Sequence, residues 1–132
     1  MASIYKDIPI DAPPDTVWDA VRDFGAVHRR LNPGFVTDCR VEGNTRMVTF
    51  HNGNVIAEEL VDCDDARRRL VYAILGRDGI THYNGSVQVL GGDDGTSRIV
   101  WIIDVLPGDV APYISSQMDL ATAAMQKTLG RA

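Results

Sequence analysis

Cysteine is scarce in this chain. Cys39 and Cys63 are its two representatives among 132 residues, and neither sits in a metal-binding or redox motif. Both are read as reduced structural thiols, so the fold must stand without disulfide staples. Histidine is nearly as sparse. His28, His51 and His82 fall on a helix, a turn and the outer face of a strand, and do not converge. That argues against a histidine-based triad or a zinc site, and no serine is placed beside a base. A basic tract is missing too, and the net charge is −5, which makes nucleic acid and anionic membranes poor partners. No apolar run has the length of a membrane-spanning helix, and the opening "MASIYKDIPI" lacks the layout of a signal peptide. The expectation is a cytoplasmic protein with no membrane insertion, no nucleic-acid partner, no metal and no cofactor. No feature of the pattern specifies an oligomeric state.

What is present fits one domain over residues 1–132. Apolar residues make up 45% of the chain, enough for a sizeable core. There is no internal repeat, linker or low-complexity stretch. The chain opens with an alternating strand, "SIYKDIPI". In "DAPPDTVWDAVRDFG", Pro13 and Pro14 suit a first helical turn, Val17, Val21 and Phe24 recur at helical spacing, and Gly25 is a stop. "AVHRRLNPG" predicts a second short helix, ended by Asn32-Pro33-Gly34.

From Phe35 the period changes to two. Six strands are predicted: 35–41, 45–50, 55–63, 68–75, 80–90 and 97–106. Gly43-Asn44, Asn52-Gly53, Asp64-Asp65, residues 76–79 and 91–95 supply the turns. Asp64, Asp65, Asp93 and Asp94 are thus turn residues before they are metal ligands, and Trp18 is expected in the core. Short breaks between consecutive strands argue an antiparallel meander. "GDVAPYISSQMDLATAAMQKTLGRA" predicts a long terminal helix with Asp109 as its cap and Pro112 in its first turn. Val110, Ile114, Gln117, Met118, Ala121 and Met125 form one stripe. This stripe suits either an ordinary core face or a helix lying over a cavity, where soft and small side chains leave room. The fold class is α+β. It is a helix-grip fold, with a curved seven-stranded antiparallel sheet around a long C-terminal helix and two short helices after the first strand.

The segment "IDAPPDTVWDAVRDFGAVHRRLNP" resembles the opening of the START-like, birch-pollen-allergen-like (SRPBCC) superfamily, and of its polyketide cyclase/dehydrase subgroup in particular. "GNTRMVTFHNGNVIAEELVDCDDARRRLVYAIL" is similar to that subgroup's Arg strand, Gly turn, Glu strand and Asp-Asp-x-Arg turn. "YNGSVQVLGGDDGTSRIVWIIDVLP" is similar to its Tyr-x-Gly and late Trp. The resemblance spans nearly the whole chain through the order and spacing of these motifs. The plant abscisic-acid receptors are distant members. Their gate loop is absent, Asp78-Gly79-Ile80 stands where they have a latch, and Pro33 where they have a ligand-binding lysine, so hormone sensing is not implied. Leu31-Asn32 stands where many relatives have a tryptophan.

The faces of the sheet follow from the strands. Ile99, Trp101, Ile103 and Val105 face inward, as do Tyr83, Gly85, Val87 and Val89, with Gly85 leaving room for Trp101. Leu70, Tyr72 and Ile74 are inward by resemblance. Arg46, Val48 and Phe50 share the better core face of their strand. Glu58 and Glu59 must then point to opposite faces. A two-residue Asn52-Gly53 turn, the commoner choice, would send Glu59 inside; a three-residue turn, His51-Asn52-Gly53, would send Glu58 inside. The resemblance places the family acid at Glu58.

An inward Glu58 opposite Arg46 is either a buried ion pair of little net worth or a polar anchor in an apolar cavity, with Tyr72 and Tyr83 adding hydroxyls. The expected function is binding of a hydrophobic small molecule, such as a polyketide, lipid or aromatic metabolite, between the sheet and the last helix. The lining is expected to include Arg46, Val48, Phe50, Glu58, Tyr72, Tyr83, Trp101, Ile103, Ile114, Gln117, Met118 and Ala121. The alternative is a polyketide cyclase or dehydratase with Glu58 as acid/base. A third possibility is a protein-interaction module without a ligand.

Overall fold

The computed structural model describes residues 2–74 and 79–130. The chain runs β1 (Ala2–Ile10), α1 (Pro14–Arg22), β2 (Val36–Glu42), β3 (Thr45–Phe50), β4 (Val55–Asp64), β5 (Arg69–Ile74), β6 (His82–Gly91), β7 (Ser97–Leu106) and α2 (Ala111–Leu129). The strands form one antiparallel sheet in the order β1-β7-β6-β5-β4-β3-β2. Only β1 departs from the meander, closing on β7 with Ile8 opposite Ile99 and Ile4 opposite Ile103. Register breaks in β2 between Val36 and Asp38, and in β4 between Leu60 and Asp62, add local bend. The expected end of β5 at Leu75, and the turn from Gly76 to Asp78, lie outside the described residues.

Alternation places the core where the period predicts. Ile99, Ile103 and Val105 of β7 and Val89 of β6 are at most 1% exposed. Ile114, Met118, Ala121 and Met125 of α2 are buried along one stripe, and α2 packs against β1. Lys6 of β1 fastens this helix by donating to Ser115 Oγ at 2.9 Å and pairing with Asp119 at 2.8 Å. The α1 helix buries Val17, Trp18, Ala20 and Val21. Trp18 is core, as expected, and its indole N–H donates to Asp65 Oδ1 at 2.9 Å, which Arg22 Nε also contacts at 2.9 Å. These two donors hold the Asp65 carboxyl below the usual carboxylate range. Asp64 accepts from the Arg67 backbone and side chain. Both residues act as turn and tether groups.

Three local expectations need correction. Phe24 is not on α1. That helix ends at Arg22, Asp23 leaves the helical region at φ −78° and ψ 78°, and Phe24 opens a 3-10 turn, Phe24–Ala26. The predicted second helix is that turn followed by a π-helical turn, Val27–Leu31. Asp109 makes no capping hydrogen bond, because the approach to α2 is itself a 3-10 turn, Gly108–Val110, with Val110 N–H donating to Pro107 O at 3.4 Å.

Candidate ligand-binding cavity

The β3–β4 hairpin decides which glutamate is inside. Phe50 N–H donates to Asn54 O at 2.8 Å, Gly53 N–H donates to Phe50 O at 2.9 Å, and Gly53 has φ +87°. The loop is therefore His51-Asn52-Gly53, with a left-handed glycine closing it. This three-residue turn puts Arg46 opposite Glu58 and Val48 opposite Ile56. Glu58 is 6% exposed, whereas Glu59 is exposed.

Arg46 and Glu58 form a buried pair, each side chain 8% exposed. Nε and Nη2 of Arg46 both reach Glu58 Oε1 at 2.8 Å, while Nη1 donates to Phe24 O at 3.1 Å. The guanidinium lies 4.2 Å from the Phe24 ring centroid and 5.5 Å from that of Tyr72, within cation–π range. Arg46 is thus committed on its edge and against its neighbouring rings. Glu58 Oε2 takes part in neither of the Arg46 contacts.

Next to this pair stands a chain of aromatic donors. Trp101 Nε1 donates to Tyr72 Oη at 3.1 Å, and the rings of Tyr72 and Tyr83 pack with their centroids 6.5 Å apart. Burial, reinforced by the negative charge of Glu58, pushes the Tyr72 hydroxyl well above its ordinary range. Gly85 makes room for Tyr72 rather than for Trp101 as expected. Gly85 is the cross-strand partner of Tyr72, and a Cβ there would lie 2.6 Å from Tyr72 Oη.

Above these groups, between the sheet and α2, lies a cavity of about 110 Å³. Arg46, Val48, Phe50, Glu58, Tyr72, Tyr83, Trp101, Ile103, Ile114, Gln117 and Met118 line it. Of the expected lining, Ala121 is the exception. It is 0% exposed, its methyl enclosed in the packed stripe of α2 between Met118 and Met125, and it does not border the cavity. Asn52, Asn54 and Tyr113 also border it, and Tyr113 is 50% exposed, so the mouth opens between the β3–β4 hairpin and the first turn of α2. Beside that mouth His51 Nε2 and Gln117 Oε1 are 3.2 Å apart, and Phe35 packs on both Phe50 and His51.

Sequence reasoning missed the wall made by the short turns: Val27, Leu31, Asn32 and Phe35. The apolar run there was visible, but its curl toward the cavity depends on the π-helical turn. Ile56 was missed because its face follows from the hairpin register. His28 and His82 lie outside the lining, and no group of three or more His, Cys, Asp or Glu side chains among the described residues could hold a metal.

This architecture defines a helix-grip protein with an internal cavity. The chain matches the model of the family "Polyketide cyclase / dehydrase and lipid transport" over residues 1–131, and it belongs to that family. No curated protein sequence matches it. Among solved structures, a protein from Thermobifida fusca is 27% identical, with a TM-score of 0.80, covering 98% of this chain and 91% of its own. A START superfamily protein from Mycobacterium smegmatis is 15% identical with a TM-score of 0.73, covering 96% and 93%. The di-domain ARO/CYC BexL of the BE-7585A biosynthetic pathway is 17% identical with a TM-score of 0.83, covering 97% of this chain and 46% of that longer one. These similarities establish the fold. No helix among the described residues is long and apolar enough to cross a membrane.

Proposed function

We propose that this protein is a cytoplasmic, single-domain binder of a neutral, largely apolar small molecule, such as a polyketide, lipid or aromatic metabolite. The observation that carries this reading is a cavity with a mainly apolar wall, beside a buried ion pair whose two charges cancel. A few polar groups converging in an apolar pocket are the usual make-up of a small-molecule site. Because Arg46 is already engaged by Glu58 and by Phe24 O, an anionic ligand would have to break that arrangement. A neutral ligand need not.

The volume bears on size. About 110 Å³ is below the roughly 300–1,000 Å³ of drug-sized pockets. A compact ring system fits, and a longer molecule requires Met118 and Gln117 to move aside, which an unbranched side chain does readily. An open cavity also counts against a module that serves only protein partners.

A cyclase or dehydratase with Glu58 as acid/base is the second reading. It is favoured by Glu58, whose Oε2 takes part in neither Arg46 contact and whose charge acts on the buried Tyr72 hydroxyl. Native mass spectrometry of purified protein, followed by organic extraction, tests the first reading. A co-purified neutral molecule is expected. A bare mass, together with no uptake of a neutral aromatic probe, would overturn it. Turnover of polyketide-like ketones that disappears in Glu58→Gln while binding persists would select the second.

A further inference from the structure

Among the described residues that line the cavity, one buried side-chain polar atom has no hydrogen-bond partner. Arg46 is paired with Glu58, Trp101 with Tyr72, and, at the mouth, His51 with Gln117. Asn32 also borders the cavity and is 5% exposed, yet its Oδ1 is buried with no hydrogen-bond partner. Its backbone is tied on both sides: its N–H donates to Val27 O at 3.0 Å, and its carbonyl accepts from Val36 N–H at 3.1 Å. These two bonds fix the Asn32 backbone at the cavity wall, between the π-helical turn and the start of β2. A buried amide without a partner lowers stability, so a group that completes it gains more than one that meets a satisfied wall.

We propose that Asn32 is the specificity-determining residue of the cavity, and that it hydrogen-bonds a neutral hydroxyl, phenolic or alcoholic, on the apolar ligand. The inference rests on the ligand-binding reading and names its ligand class. A carboxamide offers one acceptor and two donors. A hydroxyl both donates and accepts, so it suits the amide in either orientation. A charged group would introduce an uncompensated charge into a cavity whose Arg46 and Glu58 already neutralise each other.

The test uses two probes of nearly equal size, 2-naphthol and 2-methylnaphthalene, titrated into wild type and Asn32→Leu. The quantity read is the ratio of their affinities, which cancels their different solubilities between the two proteins. In Asn32→Leu the preference for 2-naphthol should fall about tenfold, the size of one net hydrogen bond, while 2-methylnaphthalene binds as before or more tightly. An unchanged ratio overturns the proposal and leaves the binding reading standing. Failure of both probes to bind wild type overturns both. A measurement on wild type alone guards against a variant that does not fold. The Asn32 side-chain amide resonances should shift with 2-naphthol and not with 2-methylnaphthalene, and an equal response to the two probes overturns the assignment.

Discussion

Gly85 faces Tyr72 across the β5–β6 ladder, and the phenol ring fills the space that a side chain on Gly85 would need. That vacancy lets Tyr72 lie across the sheet and accept the Trp101 N–H. Gly85→Ala should therefore act on Tyr72 first. The added methyl meets Tyr72 Cζ, Oη and Cε1, and the ring, 4% exposed, has little room to retreat. A loss of about 2–3 kcal/mol is expected, measured by urea unfolding, with altered tryptophan fluorescence in the native state. Gly85→Ala combined with Tyr72→Leu should cost clearly less than the two single changes added together.

Arg46 and Glu58 make a second coupled pair. Removing one partner strands the other, so Arg46→Met should cost about 3–5 kcal/mol. Replacing both, in Arg46→Met with Glu58→Leu, should recover most of that loss, because the desolvation of both charges disappears as well. A double-mutant cycle by chemical denaturation checks this. If the double variant were as unstable as the sum of the singles, the two side chains would not be acting as one unit.

Tyr72 links the cavity to alkaline pH. Its folded-state pKa lies above the ordinary value of 10.0, first because it is buried and then because Glu58 is near. Raised in the fold, this group contributes stability that is fully present below the unfolded value and is lost as pH rises from there toward the folded value. In that window the unfolded chain has released the proton and the folded chain has not. Stability should fall by up to about 1.4 kcal/mol per pH unit from this group alone. Urea midpoints between pH 9 and pH 11.5 should drop more steeply in wild type than in Tyr72→Phe.

Much of this was legible in advance, and the part that was not has a common cause. Strand limits followed from turn chemistry: Gly43-Asn44 and Asn52-Gly53 fall at observed breaks, and β4 ends at Asp64 with Asp65 opening the turn. Faces followed from alternation, which placed Trp101, Ile103 and Tyr83 correctly. Register did not follow. The side chain at each position flips with a one-residue slip, and Asn-Gly is compatible with either a two- or a three-residue turn. Glu58, Ile56 and the partner of Gly85 all depend on such a slip. The Asn32 wall depends on a π-helical turn whose residues, Val27–Leu31, carry an ordinary helical pattern. Nor could periodicity show that one amide would end buried without a partner.

The hairpin turn can be probed directly. Gly53 sits at φ +87° with open space around the position of a Cβ, so Gly53→Ala tests backbone strain with no steric clash added. A non-glycine residue in this region costs about 1–2 kcal/mol. A loss of about that size, with the Arg46–Glu58 pairing preserved, is the expected result. Amide exchange across β3 and β4 would report both.

Asn32→Leu should move stability the other way. The change removes an orphaned buried acceptor and places an apolar side chain of similar reach in an apolar wall beside Leu31 and Phe35. Leaving such a group unsatisfied costs about 1–3 kcal/mol. Part of that should return, so the urea midpoint should rise by an amount corresponding to about 1 kcal/mol, with an unchanged slope. A residue that served only to hold the π-helical turn would give the opposite sign, because its replacement would loosen the turn. A more stable variant that no longer favours a hydroxylated probe is what a binding residue predicts, since the free protein then bears a cost that only its ligand removes.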